Sequence, residues 1–228
     1  MKIFLGFKEF DMFEKILLAS SIAVVIFSNI ISGANDLFSI IASIIGVTAL
    51  VFNAKGLALG KMLVIIFALM YGIVSLTFHY YGEFATYVFM SLPMAVVSLI
   101  EWLKHPFKDT NEVEVSTLTK KKICIMFVLG VIVTIIFYFV LNFFNTPNLL
   151  FSTLSVITSF AAAYMVACRS PFYAVAYALN DIVLIVLWVL ASLENINYLS
   201  MVICFVVFLV NDIYGFINWQ RMRKRQRN

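Results

Sequence analysis

Long apolar stretches separated by short polar breaks run the length of this chain. A membrane-spanning helix needs about 20 predominantly apolar residues. By that rule spans are predicted at 15–32, 37–52, 62–79, 83–103, 123–143, 148–168, 172–193 and 198–219. The second is short, because Gly46 and Asn53 blur its exit. Hydrophobic residues make up 63% of the chain and mean hydropathy is +1.02, against roughly 45–50% apolar in soluble domains. So much apolar surface exceeds what a core of this size can hide, which excludes a soluble fold. The expected fold class is an all-α membrane protein of about eight transmembrane helices.

The charge pattern orients those spans. All 16 Lys and Arg residues fall on one side. Lys2, Lys8 and Lys15 precede the first span, and Lys55 and Lys61 lie between the second and third. Lys104, Lys108 and Lys120 to Lys122 lie between the fourth and fifth, and Arg169 between the sixth and seventh. Arg221, Arg223, Lys224, Arg225 and Arg227 follow the last. The opposite connections hold Asp36, Glu83 and Glu194. Positive charge stays cytoplasmic, so both termini are expected inside, which requires an even number of spans. The basic tail from Gln220 to Asn228 reads as an orientation signal with some attraction to anionic headgroups; no nucleic-acid partner is expected. Ser32-Gly33-Ala34 could pass for a signal-peptide cleavage site. The acids Glu9, Asp11 and Glu14 and the length of the apolar stretch favour retention of the first span.

Reactive chemistry is sparse. Cys124, Cys168 and Cys204 lie on three different spans without metal or redox spacing and read as packing residues. His79 and His105 sit on opposite sides, which argues against a shared metal site. No Gly-rich phosphate loop, HExxH, GxSxG or EF-hand pattern occurs. No catalytic residue, cofactor or metal is therefore assigned, and an enzyme is not expected.

An internal echo joins the ends of the fourth and eighth spans. Ile100-Glu101-Trp102-Leu103-Lys104 parallels Ile217-Asn218-Trp219-Gln220-Arg221 at an offset of 117 residues, which also sets Tyr71 against Trp188. Spans two to four and six to eight are each three helices, and a single fifth span between them makes both triplets run in the same direction. This is the parallel-repeat plan, with a substrate site at the repeat interface. The expected organisation is an N-terminal segment with an extra helix (1–36), a first three-helix bundle (37–103), and a loop with a linker helix (104–147). A second three-helix bundle (148–219) and a basic cytoplasmic tail (220–228) complete it. The polar loop 104–122 reads as a flexible tether whose cleavage leaves both halves intact.

Function must be read from polar groups that survive in lipid. Asp181 falls close to the midplane of the seventh span and Asp212 in the cytoplasmic half of the eighth. A charged Asp at a helix centre costs roughly 2.5–3.5 kcal/mol on insertion scales. No Lys or Arg is expected at that depth, so an ion pair is excluded. Each acid is then neutral, hydrogen-bonded or facing water. Asn211, Tyr214 and Asn218 fall at i, i+3 and i+7, one face of a helix. Tyr177, Asp181, Leu184 and Trp188 form a second stripe, with Asn180 at its edge. Gly215 would let a neighbouring helix or ligand come close. Amides and aromatic faces suit a neutral, planar, polar solute such as a nucleoside or vitamin ring. Against that stands the plainer reading. Such residues also hydrogen-bond across a bundle for about 0.6 kcal/mol on average, and Trp102 and Trp219 fit an interfacial belt.

The run Asn211-Asp212-Ile213-Tyr214-Gly215-Phe216-Ile217-Asn218-Trp219, with Ala54-Lys55-Gly56 and with Tyr81-Gly82-Glu83 leading to Pro93 and Trp102, resembles the PnuC family of bacterial vitamin transporters. The similarity covers roughly residues 37–221. It implies a three-plus-one-plus-three helix core similar to SWEET sugar transporters, often assembled as a homotrimer, in the bacterial inner membrane. It also implies facilitated diffusion of nicotinamide riboside, with a cytosolic kinase trapping the substrate by phosphorylation. The site residues it implies are Asn180, Asp181, Trp188, Asn211, Tyr214 and Asn218. Related sequences commonly place Gln two residues after the span-four Pro; here Pro93 is followed by Met94 and Ala95. Thiamine, riboflavin and deoxynucleosides therefore stay open as substrates, as do proton coupling through the acids and, in another class, a membrane scaffold.

Overall fold

The structure, a computed structural model, describes residues 10–31, 37–77 and 81–227. Lys2, Lys8, Glu9, Ser32-Gly33-Ala34, Asp36, His79 and Asn228 lie outside the described residues. Among those described, eight helices are long and apolar enough to cross a membrane. They are α1 (Met12–Ile31), α2 (Leu37–Ala54), α3 (Ala58–Thr77), α4 (Tyr81–Lys104), α5 (Lys120–Phe143), α6 (Leu149–Ala167), α7 (Tyr173–Glu194) and α8 (Leu199–Arg227).

Local chemistry explains several of the boundaries. α1 starts earlier than its apolar stretch because Asp11 and Glu14 cap it reciprocally. The Glu14 amide donates to Asp11 Oδ1 and the Asp11 amide to Glu14 Oε2, each at 2.8 Å, a capping box. Thr119 caps α5 through the Lys122 amide. Within α4 the chain widens to a π turn at Tyr87–Ser91. Pro93 would press its ring on the carbonyl four residues back, and the wider turn just before it fits that demand.

Six helices close a ring. α2 packs on α3, α3 on α4, α4 on α6, α6 on α7, α7 on α8, and α8 returns to α2. The other two stand outside it. α1 covers the seam of α2 with α8, and α5 lies against α6 and the start of α4.

At the end of the ring that bears the basic residues, indoles lock the helix ends together. Trp219 is fully buried and its Nε1 donates to the Asn53 carbonyl at 2.9 Å. Trp102 Nε1 donates to the Val166 carbonyl at 3.1 Å. The rings meet with centroids 5.4 Å apart, and Tyr173 meets Trp219 edge-on at 4.9 Å. The echo between spans four and eight thus marks two indoles that face each other.

Three expectations are corrected here. First, the loop after α4 is no free tether. Val113 is buried with Trp102, Trp219 and Met222, and its amide donates to the Gly56 carbonyl at 2.9 Å. Glu114 pairs with Arg169 at 3.5 Å and Glu112 with Arg225. Gly56 can offer that carbonyl because it turns the chain at φ +70°, a region open to glycine. Second, the basic tail continues α8 to Arg227, and Gln226 bonds the loop at both Val113 and Val115. Third, α3 begins at Ala58, so Lys61 stands inside the first turn and is 2% exposed. A lysine does occur within the bundle; its ammonium rests 4.8 Å from the centre of the Trp102 ring, where a cation is attracted.

Replacing Trp219 by Ala is expected to cost about 3–5 kcal/mol of stability, the range for deleting a buried aromatic. Trp219→Phe keeps most of the packing and loses chiefly the hydrogen bond, about 1 kcal/mol. Thermal unfolding in detergent, read on both variants, checks the order.

Candidate functional site

The cavity at the centre of the ring is about 100 Å³ and takes a wall from all six ring helices. α2 contributes Gly46, Ala49, Leu50 and Asn53; α3 contributes Val64, Phe67 and Ala68; α4 contributes Tyr87 and Ser91. Ser159 comes from α6, and Tyr173, Tyr177, Asn180, Asp181 and Leu184 come from α7. α8 supplies Phe205, Phe208 and Asp212. The two outer helices supply nothing to it.

Its chemistry is divided. On one side aromatic rings meet: Tyr71 and Tyr87 at 4.4 Å, Phe67 and Tyr87 edge-on at 5.9 Å, Phe67 and Phe208 at 6.1 Å. On the other side stand amides and carboxyls. Asn180 Oδ1 accepts from Thr158 Oγ1 at 2.8 Å, which leaves its NH₂ donors for the cavity. Asp181 and Asp212, both buried, bring their carboxyls within reach of one another. Asp181 Oδ2 and Asn53 Oδ1 are buried acceptors with no protein donor. Buried polar atoms in native folds are nearly always partnered, so these two call for a solute or water that donates to them. Lys61 does not line the cavity; it lies one helical turn before Val64, close enough for its charge to act on Asp212.

A smaller polar pocket shares Tyr87, Ser91, Ser159, Asn180 and Leu184 with the cavity and adds Thr86, Ser155 and Glu83. Glu83 was expected in an exposed connection. It lies in the first turn of α4 and is 8% exposed, because Gly82 brings that turn close to Leu141 and Thr146.

The residues expected to form the site divide into two groups. Asn180 and Asp181 line the cavity. Asn211, Tyr214 and Asn218 do not; their stripe faces the seams of α8 with α1 and α2. Asn211 Nδ2 donates to Ser21 Oγ at 3.1 Å and to its own helix at Val207. Tyr214 donates to Glu14 Oε1 at 2.5 Å, and Glu14 in turn pairs with Lys55 at 3.1 Å. Asn218 Nδ2 donates to the Ala54 carbonyl at 2.8 Å. Gly215 serves the same seam, since a Cβ there would lie 3.4 Å from the Tyr173 hydroxyl and 3.7 Å from Ala54. Trp188 packs in an apolar cluster with Val25, Val47, Phe205 and Phe208.

The face of α8 that does reach the cavity is Phe205, Phe208 and Asp212, with the same spacing as the expected stripe but turned by one residue. Tyr87 and Phe67 were not anticipated. Pro93 inside a span was the available signal for Tyr87, because π turns often sit at functional positions.

Residues 36–221 match the nicotinamide mononucleotide transporter family. The chain belongs to that family. Among relatives of this transporter, the nicotinamide riboside transporter PnuC of Neisseria mucosa is 26% identical over 190 residues, 81% of this chain and 72% of that protein. The crystal structure of the vitamin B3 transporter PnuC matches with TM-score 0.80 at 23% identity, covering 95% of this chain and 94% of that one. The likeness in structure shows a shared fold.

Tyr214→Phe and Glu14→Gln are each expected to destabilise this transporter by roughly 1.5–3 kcal/mol, the range for a hydrogen bond to a charged group. Together they should cost less than the sum of the two, since both weaken the same bond, while Glu14→Gln alone also removes the ion pair with Lys55. Thermal unfolding of the two variants and the double variant measures this.

Proposed function

We propose that this chain carries nicotinamide riboside across the bacterial cytoplasmic membrane by facilitated diffusion, with both termini and the basic end of the ring on the cytoplasmic side. One observation carries the reading: a cavity at the meeting point of six membrane-length helices, walled by rings on one side and by an amide and carboxyls on the other. A nicotinamide ring offers a flat face for Tyr87 and Phe67. Its carboxamide NH₂ and the ribose hydroxyls offer donors for Asp181 and Asn53, whose acceptors lack one. The PnuC relative is named for the same compound. A nucleotide is the poorer fit, because a phosphate brings about −1.5 to −2 charge against the two carboxyls. On this reading Asn180, Asp181, Asp212, Tyr87 and Tyr177 contact the substrate, while Asn211, Tyr214, Asn218 and Trp188 hold the helices that present them.

The cavity is smaller than the roughly 300–1,000 Å³ of drug-sized ligand sites, so the ring is contracted around it and must part to load. The packing favours two units rocking about a pseudo-twofold axis along the membrane normal. α1 outside α2 and α8 mirrors α5 outside α6 and α4, and the two indoles reach across reciprocally, Trp219 to α2 and Trp102 to α6. α1 then belongs to the repeat as the counterpart of α5. Assembly as a homotrimer and trapping of the product by a cytosolic kinase belong to the same proposal. A scaffold has no use for partnerless acceptors around a central void, and the relatives are transporters, not enzymes. A second reading, proton-driven accumulation, is favoured by the facing carboxyls of Asp181 and Asp212, which can share a proton.

Uptake of labelled nicotinamide riboside into liposomes containing only this protein tests the proposal. The compound should equilibrate without a gradient. Asn180→Ala should slow it about 5- to 30-fold, the equivalent of one or two kcal/mol, in protein that keeps its melting point. A plateau above equilibrium that follows an imposed pH gradient supports the second reading instead. If nicotinamide riboside, thiamine, riboflavin and deoxynucleosides all stay outside, carriage by this cavity is rejected.

A further inference from the structure

The geometry points to a binding site for an anionic phospholipid in the groove between α5 and α7 at the basic end of the bundle, with one acyl chain in the groove and the phosphate on Arg223. This goes beyond the transport reading and does not depend on which solute the ring carries. The groove encloses about 470 Å³, more than the central cavity and within the roughly 300–1,000 Å³ of sites for drug-sized ligands.

Its shape follows from the sequence of α7. Residues three and four apart share a helix face, and Phe172, Val175, Ala176 and Leu179 make one such stripe along the groove. Tyr173, Tyr177, Asn180 and Asp181 make another, which faces the central cavity. The outer stripe runs about 10 Å along the axis at 1.5 Å per residue. It carries bulk at both ends and only a methyl at Ala176, which leaves a hollow. α5 and α7 both pack on α6, so Ile123 and Met126 of α5 form the facing wall and Met165 of α6 the back. Phe172, Val175, Leu179 and Ile123 are each at least 40% exposed, so the hollow is open to the surrounding lipid.

Polar groups gather at one end only. Thr117, Ser170 and Arg223 lie at the basic end of the groove, and the rest of its lining is apolar. Phe172 meets Phe216 of α8 with ring centroids 6.1 Å apart, and Arg223 follows Phe216 by two turns on the same helix face. Several cations nearby have partners: Arg225 pairs with Glu112 and Arg169 with Glu114. Among the described residues no carboxylate pairs with Arg223, nor with Lys120, Lys121 and Lys122 in the first turn of α5. Lysines in a first turn also oppose the helix dipole, and an anion beside them relieves that repulsion.

A phospholipid meets these demands in order. Its phosphate suits a guanidinium, which can bind it through two parallel hydrogen bonds, and its chain suits the apolar hollow. Basic pockets between membrane helices on the cytoplasmic side take anionic headgroups in this way. A second copy of the chain is the poorer occupant, because its end at the same depth is equally basic and brings no complement.

The test uses the full-length protein, stripped of lipid in detergent and titrated with phosphatidylglycerol, phosphatidylcholine or sodium phosphate. Native mass spectrometry reads the lipids bound per chain and the oligomeric state. Thermal unfolding reads the stabilisation conferred by a ligand of the folded form. Wild type should bind phosphatidylglycerol about fivefold more tightly than phosphatidylcholine, the worth of one basic residue at an anionic surface. Phosphate alone should leave unfolding unshifted. Arg223→Gln should abolish the preference, and Arg227→Gln, which removes the same charge outside the groove, should retain it. Ala176→Trp should fill the hollow and remove one bound lipid per chain. If Ala176→Trp does not fold, the comparison of Arg223→Gln with Arg227→Gln decides. The site is overturned if wild type binds both lipids equally, if the two arginine variants lose the same affinity, or if phosphate shifts unfolding as far as phosphatidylglycerol does. Loss of the oligomer in Ala176→Trp with an unchanged lipid count assigns the groove to a second copy and overturns it too.

Discussion

A helix that ends inside a bundle leaves carbonyls with no intrahelical partner, and where that end is buried, as at Asn53, Ala54 and Val166, water does not reach to replace one. In this protein those carbonyls are answered by side chains from across the ring. The Asn53 carbonyl receives Trp219 Nε1, the Tyr173 hydroxyl and the Gly56 amide; the Ala54 carbonyl receives Asn218. The Val166 carbonyl at the end of α6 receives Trp102. Apart from the local Gly56 amide, each bond ties the end of one helix to a helix far away in sequence. The ring closes at its basic end because these donors have no better partner elsewhere in lipid. The buried contact of Trp102 with Trp219 is sealed over by Val113 and Met222, and Tyr173, which packs on Trp219, lines the central cavity.

The last helix shows how one sequence run serves two purposes. Neighbouring residues on a helix are turned by about 100°, so Asn211 and Asp212 look in different directions. Asn211 and Tyr214 meet Ser21 and Glu14 on α1, polar groups that would otherwise face acyl chains. Asp212 looks inward to Asp181. α1 therefore shields the polar outer face of the helix that carries the inner one. The π turn of α4 does related work, since it sets Tyr87 and Ser91 on the cavity wall at a place where a regular helix would meet Pro93 under strain.

Lys61, read by position as a loop residue, lies over the face of Trp102, with Asp212 near enough for their charges to interact. Its burial is tolerable because both neighbours offset the loss of water. The same logic explains why the acids survive within spans at all: partnerless oxygens beside a void are ready for a donor that arrives with the solute.

Much of the architecture was legible because lipid imposes a simple rule. About 20 apolar residues must recur for each crossing, and helix number, type and approximate limits follow from that repeat. The Trp102 and Trp219 echo and the closing run of the last span also carried the family likeness. Which helix face turns inward was not legible. Two stripes on α8 share one spacing, and only the presence of Ser21 and Glu14 opposite the first decides that it faces α1. Lys61 and Glu83 read as boundary markers, because a sequence shows a charge without the indole, carboxyl or glycine contact that lets it be buried. The loop 104–122 looked free because its anchors, Gly56, Arg169, Arg225 and Gln226, lie about 50 to 120 residues away along the chain. Periodicity along one helix determines the crossings; partners brought from distant helices decide the site, since a hydrogen bond or ion pair depends on distance in space.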